Sequence, residues 1–291
     1  EIIGIPLWVT RTFMNWRRNY LGASSELPFI WTHEFTGGDI VAETMSKCLG
    51  KVVAGNGKKY DTSGAYSEAF NENTFTVLSS SGHKFLNVDL FTPEGVDRAG
   101  SMGLTQSRVS DMAYTPFLKE SAEKLFTSRT GQSFPEVAGR LLVIFRDPID
   151  RALNRYEVAR LVTGDDSMTL EKFAKNEIYS ENNPLTRGLL GISPSDRLGP
   201  AQVKVAQELI NQHILVGLFE NIEDTIMRYE QFFHWYVGGS NSDILKCHEE
   251  VLQSFQGGYR INPDYARNDP VGFNLVAAAH TIDRQVVGYA R

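Results

Sequence analysis

One five-residue run, residues 141–145, constrains the fold of this chain more than any other segment. It reads Leu-Leu-Val-Ile-Phe, without a polar side chain, and it leads directly into Arg146-Asp147-Pro148. An unbroken apolar run of this length is typical of a strand buried on both faces, and proline is favoured in the first turn of a helix. The segment therefore predicts a strand that passes straight into a helix, as in the repeating units of a parallel sheet.

A second junction of the same kind occurs earlier in the chain. Residues 28–32 predict a buried strand, Gly37 and Gly38 a loop, and residues 39–49 a helix with its apolar side chains at helical spacing. Because this alternation continues, we predict an α/β fold: a central, mainly parallel sheet flanked by helices. Residues 28–291 are assigned to this single domain and residues 1–27 to an N-terminal arm or stem.

Further segments fit the same pattern at other places along the chain. The additional predicted strands are 74–78, 84–90, 111–114 and 213–218, and the additional predicted helices are 116–127, one from 148 onward, 170–176, 184–190, 200–212, 222–235 and 271–290.

Charge and hydropathy exclude some classes of function. The net charge of −6 argues against a surface that coats nucleic acid, which requires a broad basic face. No run of 18 apolar residues is present, so we predict no transmembrane span. The apolar start of the arm could instead dock on a partner or a membrane surface, or pack on its own domain. No Asn-x-Ser/Thr acceptor occurs, which favours a compartment without N-glycosylation.

The two cysteines, Cys48 and Cys247, leave two alternatives open. They could be separate buried thiols or a disulfide, and sequence does not decide between them. Neither has metal-ligand spacing around it, and the six histidines are scattered, so we predict no metal site.

Both strand–loop–helix junctions have the local features of an anion site. Free N–H groups and the helix dipole at such a junction attract phosphate. The second junction also contains Arg146 and Arg151, and arginine binds phosphate through two parallel hydrogen bonds. The alternative is that these arginines form ion pairs with nearby acidic residues, for which the candidates are Asp147, Asp150 and Glu157.

The segment from Arg146 to Tyr156 resembles the one by which sulfotransferases hold the 3′-phosphate of 3′-phosphoadenosine-5′-phosphosulfate. Residues 29–40 are similar to the loop that contacts the 5′-phosphosulfate in sulfotransferases of algae and other photosynthetic microbes. Shorter similarities follow in order along the chain. They are 87–90 with 92–96, 181–183 with 185–187, 214–218 with Glu223, 261–263, and 280–283 with 289–290.

This resemblance implies the P-loop-like sulfotransferase fold and five donor-binding residues: Thr36, Gly37, Gly38, Arg146 and Asn154. Three positions depart from the family pattern. Phe35 stands where the family has lysine, Asp39 where it has threonine, and Asn154 where it has serine. Losing a lysine and gaining an aspartate beside a phosphate each cost about a few kcal/mol, so donor affinity would fall by a factor on the order of a thousand. Asp39 is also predicted to be the N-cap of its helix.

An active enzyme would need a general base to take a proton from the acceptor. The candidates are His33, Glu34, Glu43 and His83. Each also has a structural alternative: Glu34 in a surface pair, Glu43 as a charge on a helix face, and His83 in a loop. A protonated His33 would partly replace the missing lysine.

Three hypotheses follow for the function. The favoured one is a non-catalytic sulfotransferase-like protein that serves as a binding or scaffold subunit of a larger assembly, attached through its arm. The second is an active sulfotransferase acting on a carbohydrate or a small hydroxylated acceptor. The third, a P-loop phosphotransferase, is disfavoured because Gly-x-x-x-x-Gly-Lys-Ser/Thr is absent. The plastid and the Golgi or secretory lumen are the two candidate compartments.

Overall fold

The computed structural model describes residues 4–22, 25–61, 64–126, 137–165, 167–176, 179, 181–235, 242–255 and 264–291. The strands are β1 Glu26–Trp31, β2 Val52–Ala54, β3 Val77–Ser80, β4 His83–Leu86, β5 Met112–Thr115, β6 Ala138–Phe145 and β7 Ile214–Leu218. The helices are α1 Leu7–Thr12, α2 Gly38–Lys47, α3 Ala65–Ala69, α4 Pro93–Met102, α5 Leu104–Ser107, α6 Leu118–Leu125, α7 Pro148–Thr163, α8 Leu170–Lys175, α9 Pro184–Leu190, α10 Pro200–His213, α11 Ile222–Phe232, α12 Ser242–Phe255, α13 Tyr265–Asn268, α14 Pro270–Ala279 and α15 Thr281–Ala290.

The described strands form one sheet in the order β3-β4-β2-β5-β1-β6-β7. Neighbouring strands run parallel, except that β3 is antiparallel to β4. From β1 the chain moves toward β2 on one side, and from β6 it moves to β7 on the other. The predicted α/β fold with a mainly parallel central sheet is therefore confirmed, and its strand order reverses direction at β1 and β6.

Helices cover both faces of the sheet, and β1 shows why. Leu27, Phe29 and Trp31 point into one core, whereas Ile30 belongs to the other. This alternation is the period of two that any strand imposes on its side chains. Because both faces are buried, the strand needs apolar residues throughout, and this explains why 28–32 and 141–145 were recognisable in the sequence.

The N-terminal arm packs on its own domain. Val9 of α1 and Phe13 are buried in the same core as Phe29. The buried side chain of Arg140 donates two hydrogen bonds to the carboxylate of Glu26, with Nε–Oε2 2.6 Å and Nη2–Oε1 2.9 Å. It also donates to the carbonyl oxygens of Asn15 and Asn19. Of the two alternatives for the arm, the contacts favour packing on the domain, although Leu7 and Leu21 remain exposed.

Several elements differ from their predicted bounds. The predicted helix 271–290 is two helices, α14 and α15, which meet at His280. The predicted strand 84–90 ends at Leu86. Seven of the elements given above were not predicted: α1, β2, α3, α4, α5, α12 and α13. The Thr92-Pro93 start of α4 is a recognisable signal, because the hydroxyl of Thr92 accepts a bond from the backbone N–H of Gly95.

None of the described helices is long and apolar enough to cross a bilayer.

Candidate functional site

The two junctions predicted as anion sites lie side by side. β1 and β6 are hydrogen-bonded neighbours and run parallel, so the loops that follow them leave from the same edge of the sheet. Ligands of open α/β sheets bind at the carboxyl ends of strands, where the strand order reverses direction. The segment 32–39 and the start of α7 therefore form the candidate functional site, and Arg146 lies between them.

The loop after β1 is a tight turn. The carbonyl oxygen of His33 accepts bonds from both the backbone N–H and the hydroxyl of Thr36, at 3.2 and 2.8 Å. Gly37 has φ +90°, and a Cβ there would lie 2.8 Å from the Cδ2 atom of Phe219. Glycine is therefore required at position 37. Thr36, which the resemblance assigns to the donor, uses its hydroxyl within the loop.

Phe35 is held in an unusual conformation. Its φ of +62° lies in the left-handed region, which costs a non-glycine residue roughly 1 kcal/mol. The carbonyl oxygen of Phe35 accepts a hydrogen bond from Nη1 of Arg146 at 2.9 Å. The Arg146 guanidinium also lies over the Phe219 ring, 4.3 Å from its centroid. Arg146 is thus next to the loop, and part of its bonding capacity stabilises the loop.

Asp39 is not the N-cap of α2, contrary to the prediction. The N-cap is Gly37, whose left-handed backbone ends the turn two residues earlier than expected, so Asp39 lies in the first helical turn. A carboxylate there still interacts favourably with the positive end of the helix dipole. In contrast, Asp147 is the N-cap of α7 and accepts bonds from the N–H groups of Ile149 and Asp150, with Pro148 in the first turn as predicted.

Asn154 is 2% exposed and lies on the inward face of α7, as does Arg151 at 3%. Arg151 forms an ion pair, as the structural alternative proposed, but its partner is Glu181 rather than an acidic residue of its own segment. Arg155 binds the other oxygen of Glu181, Nη1–Oε1 2.8 Å. Sequence reasoning missed this pairing, because Glu181 comes from a distant segment.

His33 lies beside this network and is neutral at ordinary pH. Burial first, and then the positive charge of Arg151, lower the pKa of His33 to about 3. Burial alone would raise the pKa of Glu181, but the positive charges of Arg151 and Arg155 outweigh it and lower this pKa. The idea that a protonated His33 replaces the missing lysine is therefore wrong. Glu34 is 65% exposed and pairs with Arg155 at 3.4 Å, as its structural alternative proposed.

The other two candidate bases lie together at a different place. Glu43 of α2 pairs with Lys59, at 3.6 Å. His83 is buried at the start of β4 rather than in a loop, and its ring stacks on Tyr60 with centroids 4.5 Å apart. Burial is the main cause that lowers the pKa of His83, partly opposed by the charge of Glu43. The four candidates thus separate into two pairs, and only His33 and Glu34 belong to the loop after β1.

A cavity of about 740 Å³ opens beside this loop. Such a volume is typical of sites for small molecules. The described residues that line it are Thr32, His33, Glu34, Phe35, Asp39, Phe91, Tyr114, Pro116, Phe117, Val158 and Phe255. Sequence reasoning missed its aromatic character, although Pro116 and Phe117 directly follow β5 and a position after a parallel strand was a usable signal.

A disulfide links α12 to the end of α2. Cys48, just after α2, forms a disulfide with Cys247 of α12, with Cα atoms 5.6 Å apart. This decides between the two alternatives that the sequence left open. It also fixes α12, whose last residue Phe255 lines the cavity, to the helix that follows the candidate loop.

Comparison of the chain with models of known protein families and with curated protein sequences gives no match. Within the described residues, no group of three or more His, Cys, Asp and Glu side chains could hold a metal ion. The fold and the site therefore define the class: an α/β protein with a candidate ligand site at the point where its strand order reverses.

Proposed function

We propose that this chain is a sulfotransferase-fold protein with lost or weakened donor binding, and that it serves as a non-catalytic binding or scaffold subunit. The contacts of Arg146 support this most directly. The side chain that the family uses for the 3′-phosphate bonds to the carbonyl oxygen of Phe35 and lies against Phe219, and it is only 5% exposed. A nucleotide would have to displace these contacts.

The charges around the loop support the same proposal. Phe35 replaces the family lysine, Asp39 adds a carboxylate, and His33 is uncharged at pH 7. A phosphosulfate would therefore approach a carboxylate without the lysine that normally offsets its charge. At an effective dielectric constant of about 20, one such charge at 4 Å changes the interaction energy by roughly 4 kcal/mol.

The alternative is an active sulfotransferase that uses 3′-phosphoadenosine-5′-phosphosulfate and a carbohydrate or small hydroxylated acceptor. It is favoured by the position of Arg146 beside the glycine turn at the carboxyl ends of β1 and β6. In this case His33 and Glu34 are the candidate bases at the loop, and the lowered pKa of His33 makes its imidazole a weak one.

Calorimetric titration with 3′-phosphoadenosine-5′-phosphate, the desulfonated donor, tests the proposal. We expect no binding heat up to millimolar nucleotide from protein that circular dichroism shows to be folded. Binding at micromolar strength or better would contradict the loss of the donor site and would justify a screen of acceptors.

The disulfide bears on the compartment. Disulfides persist in oxidising compartments and are rare in reducing ones. Of the two candidate compartments, the Cys48–Cys247 bond favours the Golgi or secretory lumen.

A further inference from the structure

The 740 Å³ cavity has walls rich in aromatic side chains. Four phenylalanines that line it are half-buried: Phe35, Phe91, Phe117 and Phe255. They come from four separate parts of the chain, and the Phe91 ring packs against Tyr114 with centroids 4.8 Å apart. Half-buried aromatic surface in a concave site favours a ligand with an apolar or ring-containing body, because binding removes this surface from water.

The charged side chains among the described residues that line the cavity are both negative. Glu34 and Asp39 both line it, and none of the described lining residues is lysine or arginine. Arg155, which pairs with Glu34 at 3.4 Å, is also shared with Glu181. His33 does not add a positive charge, because it is neutral. An anionic ligand would therefore meet carboxylates, whereas a cation would be attracted by the carboxylates and by the faces of the aromatic rings.

An ammonium group beside both an aromatic ring and a carboxylate already occurs at the edge of this cavity. The ammonium group of Lys59 lies 5.2 Å from the centroid of the Phe255 ring and 3.6 Å from a carboxylate oxygen of Glu43. One ring at the edge of the cavity thus already has an ammonium group over it, with a carboxylate close by.

We propose that this cavity binds an amphipathic organic cation, a molecule with an aromatic or hydrocarbon body and one ammonium group. The ring-lined walls take the body, and the carboxylates of Glu34 and Asp39 take the charge. This inference rests on the proposed function, since it names the kind of ligand that a binding protein without an anionic donor would take at the same site.

Three ligands of matched shape test the proposal: 4-phenylbutylamine, 4-phenylbutan-1-ol and 4-phenylbutanoate. They share a phenylbutyl body and carry a positive charge, no charge and a negative charge at pH 7. Titration followed by protein NMR or calorimetry should rank the amine first, the alcohol second and the carboxylate last, with at least a tenfold difference between first and last. Equal affinities, the reverse order, or no binding of the amine up to 10 mM (a ceiling chosen at about the limit for weak fragments) would overturn the proposal.

Two variants locate the charge preference. Asp39→Asn and Glu34→Gln should each weaken amine binding several-fold while alcohol binding stays within about twofold. The matched control is Glu249→Gln, which removes an exposed carboxylate from α12 outside the lining and should leave all three affinities unchanged. Equal effects of Asp39→Asn and Glu249→Gln would overturn the proposal.

A third variant tests whether the ligand occupies this cavity. Phe117→Ala removes part of the wall and should weaken both the amine and the alcohol, and its thermal midpoint shows whether it is folded. If Phe117→Ala does not fold, Val158→Trp, which fills the cavity from α7, should block both ligands. Undiminished binding by a folded variant would overturn the proposal.

The nucleotide titration separates this inference from the proposed function. Binding of neither nucleotide nor amine would overturn the inference and leave the loss of donor binding intact. Binding of the nucleotide would overturn the proposed function, and the inference would then stand or fall on the order of the three phenylbutyl ligands.

Discussion

At the scale of single residues, the proposed loss of donor binding rests on Phe35 and Asp39 in the loop after β1. Replacing both by the residues of the family pattern, Phe35→Lys with Asp39→Thr, adds a positive charge and removes a negative one. We expect this double variant to bind 3′-phosphoadenosine-5′-phosphate at least a hundredfold more tightly than the native chain, because each 1.4 kcal/mol is tenfold. Calorimetric titration of both proteins measures the gain.

The control for this prediction is the same double variant with Arg146→Ala. If the nucleotide binds as the family resemblance implies, the triple variant should lose the gained affinity. A gain that persists without Arg146 would show that the new lysine attracts anions in general, and the predicted role of Arg146 would then be wrong.

The sequence predicted that Arg146 lies at a strand–helix junction, but it predicted neither its neighbours nor its contacts. Arg146 lies beside the glycines because β1 and β6 are adjacent parallel strands, and this adjacency is known only from the strand order of the folded chain. Its hydrogen bond to the carbonyl oxygen of Phe35 and its packing on the Phe219 ring join groups from three segments that only the folded chain brings together. For the same reason the charge state of His33 could not be predicted, since it depends on Arg151 and on burial.

At the scale of helices and strands, α9 and α15 cap each other. The carboxylate of Asp283 accepts bonds from the N–H groups of Leu185 and Thr186 and from the Thr186 hydroxyl, at 3.0, 2.8 and 2.6 Å. In return, the side-chain oxygen of Asn183 accepts bonds from the N–H groups of Ile282 and Asp283. Two of the segments that carried the family resemblance, 181–187 and 280–283, therefore meet in this pair of helix starts.

Removing the Asp283 carboxylate, which caps α9, should lower the stability of the protein. Asp283 is fully buried, so Asp283→Ala leaves three donors without their acceptor, and we expect the free energy of unfolding to fall by about 2–4 kcal/mol. Urea denaturation measures this loss. Gln285→Ala, an exposed change on the same helix, should cost less than about 0.5 kcal/mol. Equal losses in the two variants would contradict the capping role.

The same contacts explain which helix bounds could be predicted. Helix α9 matches its predicted bounds because Pro184 and Gly191 mark both ends locally. The break between α14 and α15 has no comparable local signal, since it is stabilised by Asn183, about 100 residues away, which donates to the carbonyl oxygen of Ala279 and accepts from the start of α15. Local patterns thus predict helix ends that have a local sequence signal, even where, as at the start of α9, a distant residue also caps the helix.

At the scale of the whole molecule, buried neutral histidines should make stability depend on pH. Burial is the main cause that lowers the pKa values of His33, His83, His213 and His280. An unfolded histidine has a pKa of about 6.5, so below this pH the unfolded chain binds protons that the folded chain does not. The contribution of these histidines to stability is therefore complete well above pH 6.5 and is lost progressively as the pH falls through and below that value.

The contribution of His33 can be isolated by comparing urea midpoints at pH 7 and pH 5. His33→Gln keeps an uncharged polar side chain but cannot be protonated, so this variant should lose on the order of 1 kcal/mol less than the native protein over that interval. Equal losses in the two proteins would show that His33 titrates normally in the folded state.

The disulfide should also contribute to the stability of the whole domain. It joins residues 199 positions apart, and closing a long loop restricts the unfolded chain. We expect reduction to lower the free energy of unfolding by about 2–5 kcal/mol, measured by urea denaturation with and without dithiothreitol. The Cys48→Ser/Cys247→Ser variant should be equally unstable in both buffers, and a response of this variant to the reductant would contradict the prediction.

The Cys48–Cys247 bond also makes most of the chain a closed covalent ring, with β2 through β7 inside it. A protease that cuts the backbone once between these two residues opens the ring but does not divide the molecule. On a denaturing gel the nicked protein should therefore migrate as one species without reductant and as two fragments with it. Peptide bonds from Leu49 to Lys246 can thus be cut singly without the pieces separating.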